Sequence, residues 1–182
     1  MENRVVLLLG GNLGERSLIL EQCLAQLVSQ VGTIEALSGV YETEPWGFKS
    51  DVPPFWNCVV VLLTAKGARE VLARTQRIER DLGRTDKATA HYHSRTLDID
   101  ILFYNNVIYE EEDLVIPHKG IPARRFVLVP LQELMPDFVH PKLHKTITQL
   151  LGLCEDRMKV ERLGNVDRAR YLRALIKMGS SK

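Results

Sequence analysis

RTLDIDILFY, Arg95–Tyr104, is an apolar run broken by Asp98 and Asp100. Its branched side chains predict a buried strand, and a strand's period of two puts both carboxylates on one face. Their Cα atoms then lie roughly 6.5–7 Å apart. Leu97, Ile99 and Ile101 face the opposite side and anchor the strand. Buried charge is costly unless it is paired or metal-bound. Two hard oxygen donors on one rigid face suit Mg²⁺ when phosphates supply the remaining ligands. The alternative is a sheet edge carrying two solvated acids.

Upstream, Val5–Leu9 predicts an interior strand, and Gly10-Gly11-Asn12-Leu13-Gly14 ends it. The helix that follows carries Leu20, Leu24, Leu27 and Val31 on one face and stops at Gly32. The glycine turn lacks a GKS or GKT ending, so it is not a Walker A loop, and it is not a GxGxxG fingerprint. Ile34–Tyr41 predicts a second strand, left through Glu42-Thr43-Glu44-Pro45-Trp46-Gly47 and a loop running to Pro53-Pro54. Phe55–Leu63 is apolar on both faces and predicts a central strand. Phe55 and Asn57 share one of its faces, where a ring and an amide can stack on a base and read its edge, or simply serve the core. Ala68–Leu82 predicts an amphipathic helix with Val71, Thr75, Ile78 and Leu82 inward and Gln76, Glu79 and Arg80 outward.

Between that helix and the acidic strand, Arg84–Ser94 is polar and has almost no apolar anchors. It reads as a mobile loop whose basic groups can neutralise phosphate. Downstream, Val107–Tyr109 and Leu114–Ile116 predict a small β excursion. Pro117-His118 then leads to Arg124, Arg125 and Phe126. Short helices are expected over Leu128–Leu134, with Pro130 near the start, over Thr146–Leu151, and over Arg162–Lys177. The order β-α-β-β-α-β predicts an α+β fold of ferredoxin-like type, with a mainly antiparallel sheet and a C-terminal helical annex. Residues 1–144 are expected to form the catalytic domain and 145–182 a peripheral helical extension that is open to partial disorder.

The 182 residues carry 24 basic and 23 acidic side chains, a formal net charge of +1. Such a balance demands neither nucleic acid nor a membrane as partner. Cys23, Cys58 and Cys154 are far apart and odd in number, so buried thiols are expected rather than a disulfide framework. His91, His93 and His118 lack a further ligand at zinc spacing. No leader is expected, and no apolar run reaches the ~18 residues of a membrane span. A monomeric, cytoplasmic protein is the expectation.

Gly10–Leu13, Phe55-x-Asn57, Gly83-Arg84, Arg95-Thr96-x-Asp98-x-Asp100 and Pro117-His118 with Arg124-x-Phe126 together resemble 6-hydroxymethyl-7,8-dihydropterin pyrophosphokinase, a folate-synthesis family. The resemblance spans roughly residues 4 to 141. It implies transfer of pyrophosphate from ATP to the hydroxymethyl group of a reduced pterin, with release of AMP. It implies that Asp98 and Asp100 hold two Mg²⁺ ions and that Arg84 and Arg95 contact phosphate at the reacting centre. Phe55 and Phe126 match the rings that sandwich the pterin, and Asn57 the asparagine that reads its polar edge. Thr43 and Trp46 match positions whose backbones contact it. Gln76, Glu79, His118 and Arg124 match residues of the nucleotide side or its border with the pterin. The chain departs from the family pattern at Asp86, where a second arginine is frequent, and around Tyr92-His93-Ser94.

Two other functions compete on the residues alone. A metal-dependent nucleotidyl- or glycosyltransferase using DxD explains Asp98 and Asp100 but not Phe55, Asn57 and Phe126 together. A ferredoxin-like RNA-binding module explains the aromatics but sets two acids on a central strand, against phosphate.

Overall fold

The computed structural model describes residues 2–44, 52–83 and 96–179. Its first strand, β1 (Asn3–Gly11), buries Val5 to Leu9 without alternation. The reason is that both faces of the sheet are covered. Val5, Leu7 and Leu9 enter one hydrophobic core, Val6 and Leu8 the other. Helix α1 (Arg16–Gln30) buries Cys23, Leu24 and Leu27 in the first core.

The single strand expected over Ile34–Tyr41 is two, β2 (Thr33–Leu37) and β3 (Val40–Thr43). Ser38 interrupts them. Its N–H donates to the Val59 carbonyl at 2.9 Å, and its Oγ accepts from the Val59 N–H at 2.9 Å. The hydroxyl thus takes over a ladder bond. Both strands pair with β4 (Phe55–Thr64), which also pairs antiparallel with β1. Helix α2 (Ala68–Asp81) buries Val71, Thr75 and Ile78 as its periodicity predicts. It also buries Glu79, which was expected to face outward. The acidic strand is β5 (Asp98–Tyr104), antiparallel to β1.

The main sheet runs β5-β1-β4-β3, with β2 beside β4, and is extended past β3 by β8 (Val160–Gly164). This is the expected ferredoxin-like arrangement with an added edge strand. A hairpin of β6 (Tyr109–Glu111) and β7 (Leu114–Ile116) follows β5. Helix α3 (Arg125–Leu134) is longer than predicted and holds Pro130 inside rather than near its start. It joins α4 (Ile147–Leu153) on the second core, opposite α1 and α2. Thr146 caps α4 reciprocally with Gln149, at 3.1 and 2.9 Å.

The C-terminal segment is not purely helical. Val160–Gly164 pairs with β3, whose outer N–H and C=O groups an edge position would leave open. Only then does α5 (Arg168–Gly179) begin, resting on α1 through buried Tyr171. All three cysteines are buried free thiols, as expected. Among the described residues no helix is long and apolar enough to cross a membrane.

Candidate active site

Register places the site on the α3 face of the sheet. Asp98 lies opposite Gly10, Gly10 opposite Asn57, and Asn57 opposite Tyr41. Asp100 lies opposite Leu8, a residue of the second core. Leu97, Ile99 and Ile101 fall in the first core, so the two aspartates do share the other face. The register shift between Val6 and Leu7 leaves Leu102 as an extra residue on β5. It keeps the apolar half of the strand in the cores while the acidic half faces the open rim. Asp98 and Asp100 are half-buried there.

Asn57 is 4% exposed and Thr43 3%. The Asn57 Nδ2 donates to Thr43 Oγ1 at 3.1 Å, which fixes the plane of the amide. A Cβ on Gly10 would come within 2.9 Å of Asn57 Oδ1. Glycine there is what lets the amide lie over β1. Two interstrand spacings separate Asn57 from Asp98, roughly 9–10 Å across the sheet. Phe55 shares the face of Asn57, two residues earlier in β4. Phe126 opens α3 and packs on the second core. The Arg124 guanidinium stands 5.9 Å from the Phe126 ring centre.

His118 comes off β7 beside the acidic strand. Its backbone N–H donates to the Leu102 carbonyl at 3.0 Å, and its Nδ1 accepts from the Gly120 N–H at 3.1 Å. The second bond leaves Nε2 as the protonated nitrogen of a neutral ring. Burial holds the imidazole below its usual value. The charges of Asp100 and Asp98 oppose that shift, and that of Arg124 adds to it.

Glu79 approaches β5 from the other side. Because β5 is an edge strand, the Ile99 N–H points outward, and Glu79 Oε1 accepts it at 2.8 Å. That N–H lies between the two aspartates in sequence. Gln76 is half-buried one turn earlier on the same helix. Thus Thr43, Phe55, Asn57, Asp98, Asp100, His118, Arg124 and Phe126 gather on or around the α3 face. Gln76 and Glu79 lie behind the β5 edge. Trp46, Arg84, Arg95 and the loop reading of Arg84–Ser94 lie outside the described residues.

The donor set fits a divalent cation. Two adjacent carboxylates on one face are the complement Mg²⁺ takes from protein when phosphates and water complete its shell. Among the described residues no group of three or more metal-ligating side chains converges.

Other residues of the rim hold the site in place, and of these Arg16 and Glu42 escape a motif-based reading. Buried Asn12 donates through Nδ2 to the Pro53 carbonyl at 3.1 Å. Arg16 donates to the Pro54 carbonyl at 2.9 Å and lies 4.4 Å from the Trp56 ring centre. Glu42 accepts from Trp56 Nε1 at 2.9 Å. Together they fasten the start of β4, and so Phe55 and Asn57, to the glycine turn. An asparagine directly after two glycines was the available signal for Asn12. Nothing in the local sequence marks Arg16 or Glu42.

The family model of 7,8-dihydro-6-hydroxymethylpterin-pyrophosphokinase matches residues 6–136. A 2-amino-4-hydroxy-6-hydroxymethyldihydropteridine pyrophosphokinase of Porphyromonas gingivalis is 43% identical over 142 residues, covering 76% of this chain and 94% of the relative. The enzyme of the same name from Bacillus subtilis is 38% identical over 135 residues, covering 74% of this chain and 79% of its own. A crystal structure of Plasmodium falciparum HPPK-DHPS superposes with a TM-score of 0.69 at 20% identity, over 84% of this chain and 44% of that one. At that identity it speaks to the fold alone, and this chain spans under half of that longer protein. Motifs, sheet register and relatives agree: the chain belongs to the 7,8-dihydro-6-hydroxymethylpterin-pyrophosphokinase family.

Proposed function

We propose that this chain carries out its family's pyrophosphoryl transfer on the α3 face, with ATP as donor and 6-hydroxymethyl-7,8-dihydropterin as acceptor. The reaction yields AMP and the pterin diphosphate, a step of folate biosynthesis. The observation that carries the assignment is the row Asp98–Gly10–Asn57. One sheet face presents an acidic pair and a wedged amide with a side-chain-free position between them.

The acceptor ring stacks between Phe55 and Phe126. Stacking favours any flat heterocycle, so selectivity falls to the amide. With one Nδ2 hydrogen held by Thr43, Asn57 keeps its second hydrogen and Oδ1 to read donor and acceptor positions on the ring edge. The resemblance assigns further backbone contacts along that edge to Thr43 and Trp46. Asp98 and Asp100 would hold two Mg²⁺ ions, which when bound neutralise polyphosphate charge and lower the pKa of the attacking hydroxyl. Arg84 and Arg95 stabilise charge on the transferring and leaving phosphates. His118 offers Nε2–H as a neutral donor, and Arg124 adds fixed positive charge on the nucleotide side. Glu79 holds β5 in place through the Ile99 N–H, with Gln76 beside it. No serine or cysteine nucleophile is needed, because the acceptor brings its own hydroxyl. Residues 1–144 then form the catalytic unit, and the protein acts as a monomer in the cytoplasm.

Purified protein should consume ATP only when Mg²⁺ and 6-hydroxymethyl-7,8-dihydropterin are both present. Brisk ATP turnover without the pterin, or none with it, would refute the assignment.

A further inference from the structure

The residues after 136 lie beyond the segment that the family model matches, yet they grip α3 at both ends. At the first turn, the Arg125 N–H donates to Asp156 Oδ2 at 2.9 Å, and Asp156 Oδ1 accepts from the Met158 N–H at 2.9 Å. The opening N–H groups of a helix have no partner within it, and a carboxylate there also meets the positive end of the helix. Arg125 is the immediate neighbour of Phe126.

At the last turn, the Glu133 carboxylate gathers three groups. It accepts from the Gly39 N–H at 3.0 Å and from the Tyr41 hydroxyl at 2.7 Å, and Arg162 Nη2 lies 3.5 Å away. A Cβ on Gly39 would come within 2.7 Å of Arg162 Nε, so the guanidinium lies against the backbone that leads into β3. Burial, then the Glu133 carboxylate, push the Tyr41 phenol up to about 12, which keeps it a donor. Tyr41 faces Asn57 across the ladder and stands two residues before Thr43. Strand β8 backs all of β3, from Val40 opposite Gly164 to Thr43 opposite Val160.

We infer that Asp156 and Arg162 are positioning residues for the acceptor clamp, holding α3 and β3 so that Phe126 and the Thr43–Asn57 pair meet the same ring. The inference rests on the acceptor-site reading given above. Asp156 acts through the first turn of α3, and Arg162 acts through Glu133 and β3. The C-terminal segment thereby braces the pterin site from outside the catalytic unit.

Calorimetry on the full chain tests this, with Mg²⁺ and a non-hydrolysable ATP analogue bound and 6-hydroxymethylpterin as titrant. Asp156→Ala and Arg162→Met should each weaken the pterin about fivefold, the equivalent of one lost cap or charge-assisted bond, with nucleotide affinity held within about twofold. Asp156→Asn should recover part of the loss, because its one amide oxygen can still accept from the Arg125 N–H while its Nδ2 cannot replace the bond from Met158. Arg162→Lys should do so because lysine still pairs with Glu133. Unchanged pterin affinity in both truncations overturns the inference. So does a parallel loss of both ligands that tracks a lowered melting temperature. Should Arg162→Met not fold, Tyr41→Phe removes only the hydroxyl bond to Glu133 and carries the same expectation. A parent protein that binds no pterin overturns the acceptor-site reading itself. Parent binding with indifferent variants overturns only the positioning roles.

Discussion

Gly10→Ala probes the acceptor site without deleting any group that contacts a ligand by charge or hydrogen bond. The new Cβ would stand 2.9 Å from Asn57 Oδ1. That contact must lengthen by roughly half an ångström to reach ordinary van der Waals distance. Asn57 cannot simply swing away, because it is 4% exposed and its Nδ2 is tied to Thr43 at 3.1 Å. Overpacking of this kind costs about 1–3 kcal/mol of stability. A tilted amide should also forfeit its proposed bonds to the pterin edge, about 0.5–1.5 kcal/mol, or a roughly twofold to twelvefold weaker pterin. The nucleotide should bind as before. Pterin titration in the presence of an ATP analogue measures the loss, and the same titration on Asn57→Ala and the double variant completes a cycle. Once Asn57 is alanine, Gly10→Ala should cost almost nothing further. An undiminished penalty in the Asn57→Ala background would refute the wedge between Gly10 and the amide, as would equal weakening of pterin and nucleotide.

Asp98→Asn and Asp100→Asn should each fold normally and lose at least about 100-fold in turnover, the scale of a deleted electrostatic contact at a reacting centre. Near-normal turnover in both, by steady-state assay at saturating Mg²⁺, would sink the metal-holding role. Acid stability should trace in part to His140, which is 4% exposed and whose Nδ1 accepts from the Lys142 and Leu143 N–H groups at 3.2 Å each. Burial, then the charges of His144 and Lys142, hold its pKa below the usual value of 6.5, against an opposing backbone hydrogen bond. The unfolded chain therefore binds the proton more readily. The neutral ring's contribution is complete above about pH 6.5 and drains away as pH falls through the depressed value. Denaturant midpoints measured against pH should fall less steeply for His140→Gln than for the parent, and identical slopes would exclude His140 as the titrating group.

The sheet was legible because its apolar runs are long and its acids conspicuous. Asp98 and Asp100 inside a branched run told both the strand and its polar face, and the register bears that out. Ser38 was harder, because whether a serine continues a strand or replaces a ladder bond depends on Val59, twenty-one residues away. Glu79 was misread for a similar reason. A glutamate on an amphipathic helix belongs outside unless a distant N–H needs it, and Ile99 of the edge strand does. The strand Val160–Gly164 carries charged side chains and exposed Leu163, so its local sequence favours no buried partner. It is a strand because β3 offers an open edge. Within the site, the residues that meet substrate in the proposed mechanism were readable as motifs. Of those that hold them in place, Gly10, Asn12, Thr43 and Glu79 fall among the matched positions, whereas Arg16, Glu42, Glu133 and Asp156 do not, since they act through contacts that only the folded chain creates.

The most direct test follows the phosphorus. With ATP labelled at the β position, Mg²⁺ and 6-hydroxymethyl-7,8-dihydropterin, chromatography should find AMP and pterin diphosphate in equal amounts, with the label in the pterin product. ADP with a pterin monophosphate and the β label left on the nucleotide would mean that only the γ-phosphoryl group moves, and would contradict pyrophosphoryl transfer however fast the turnover.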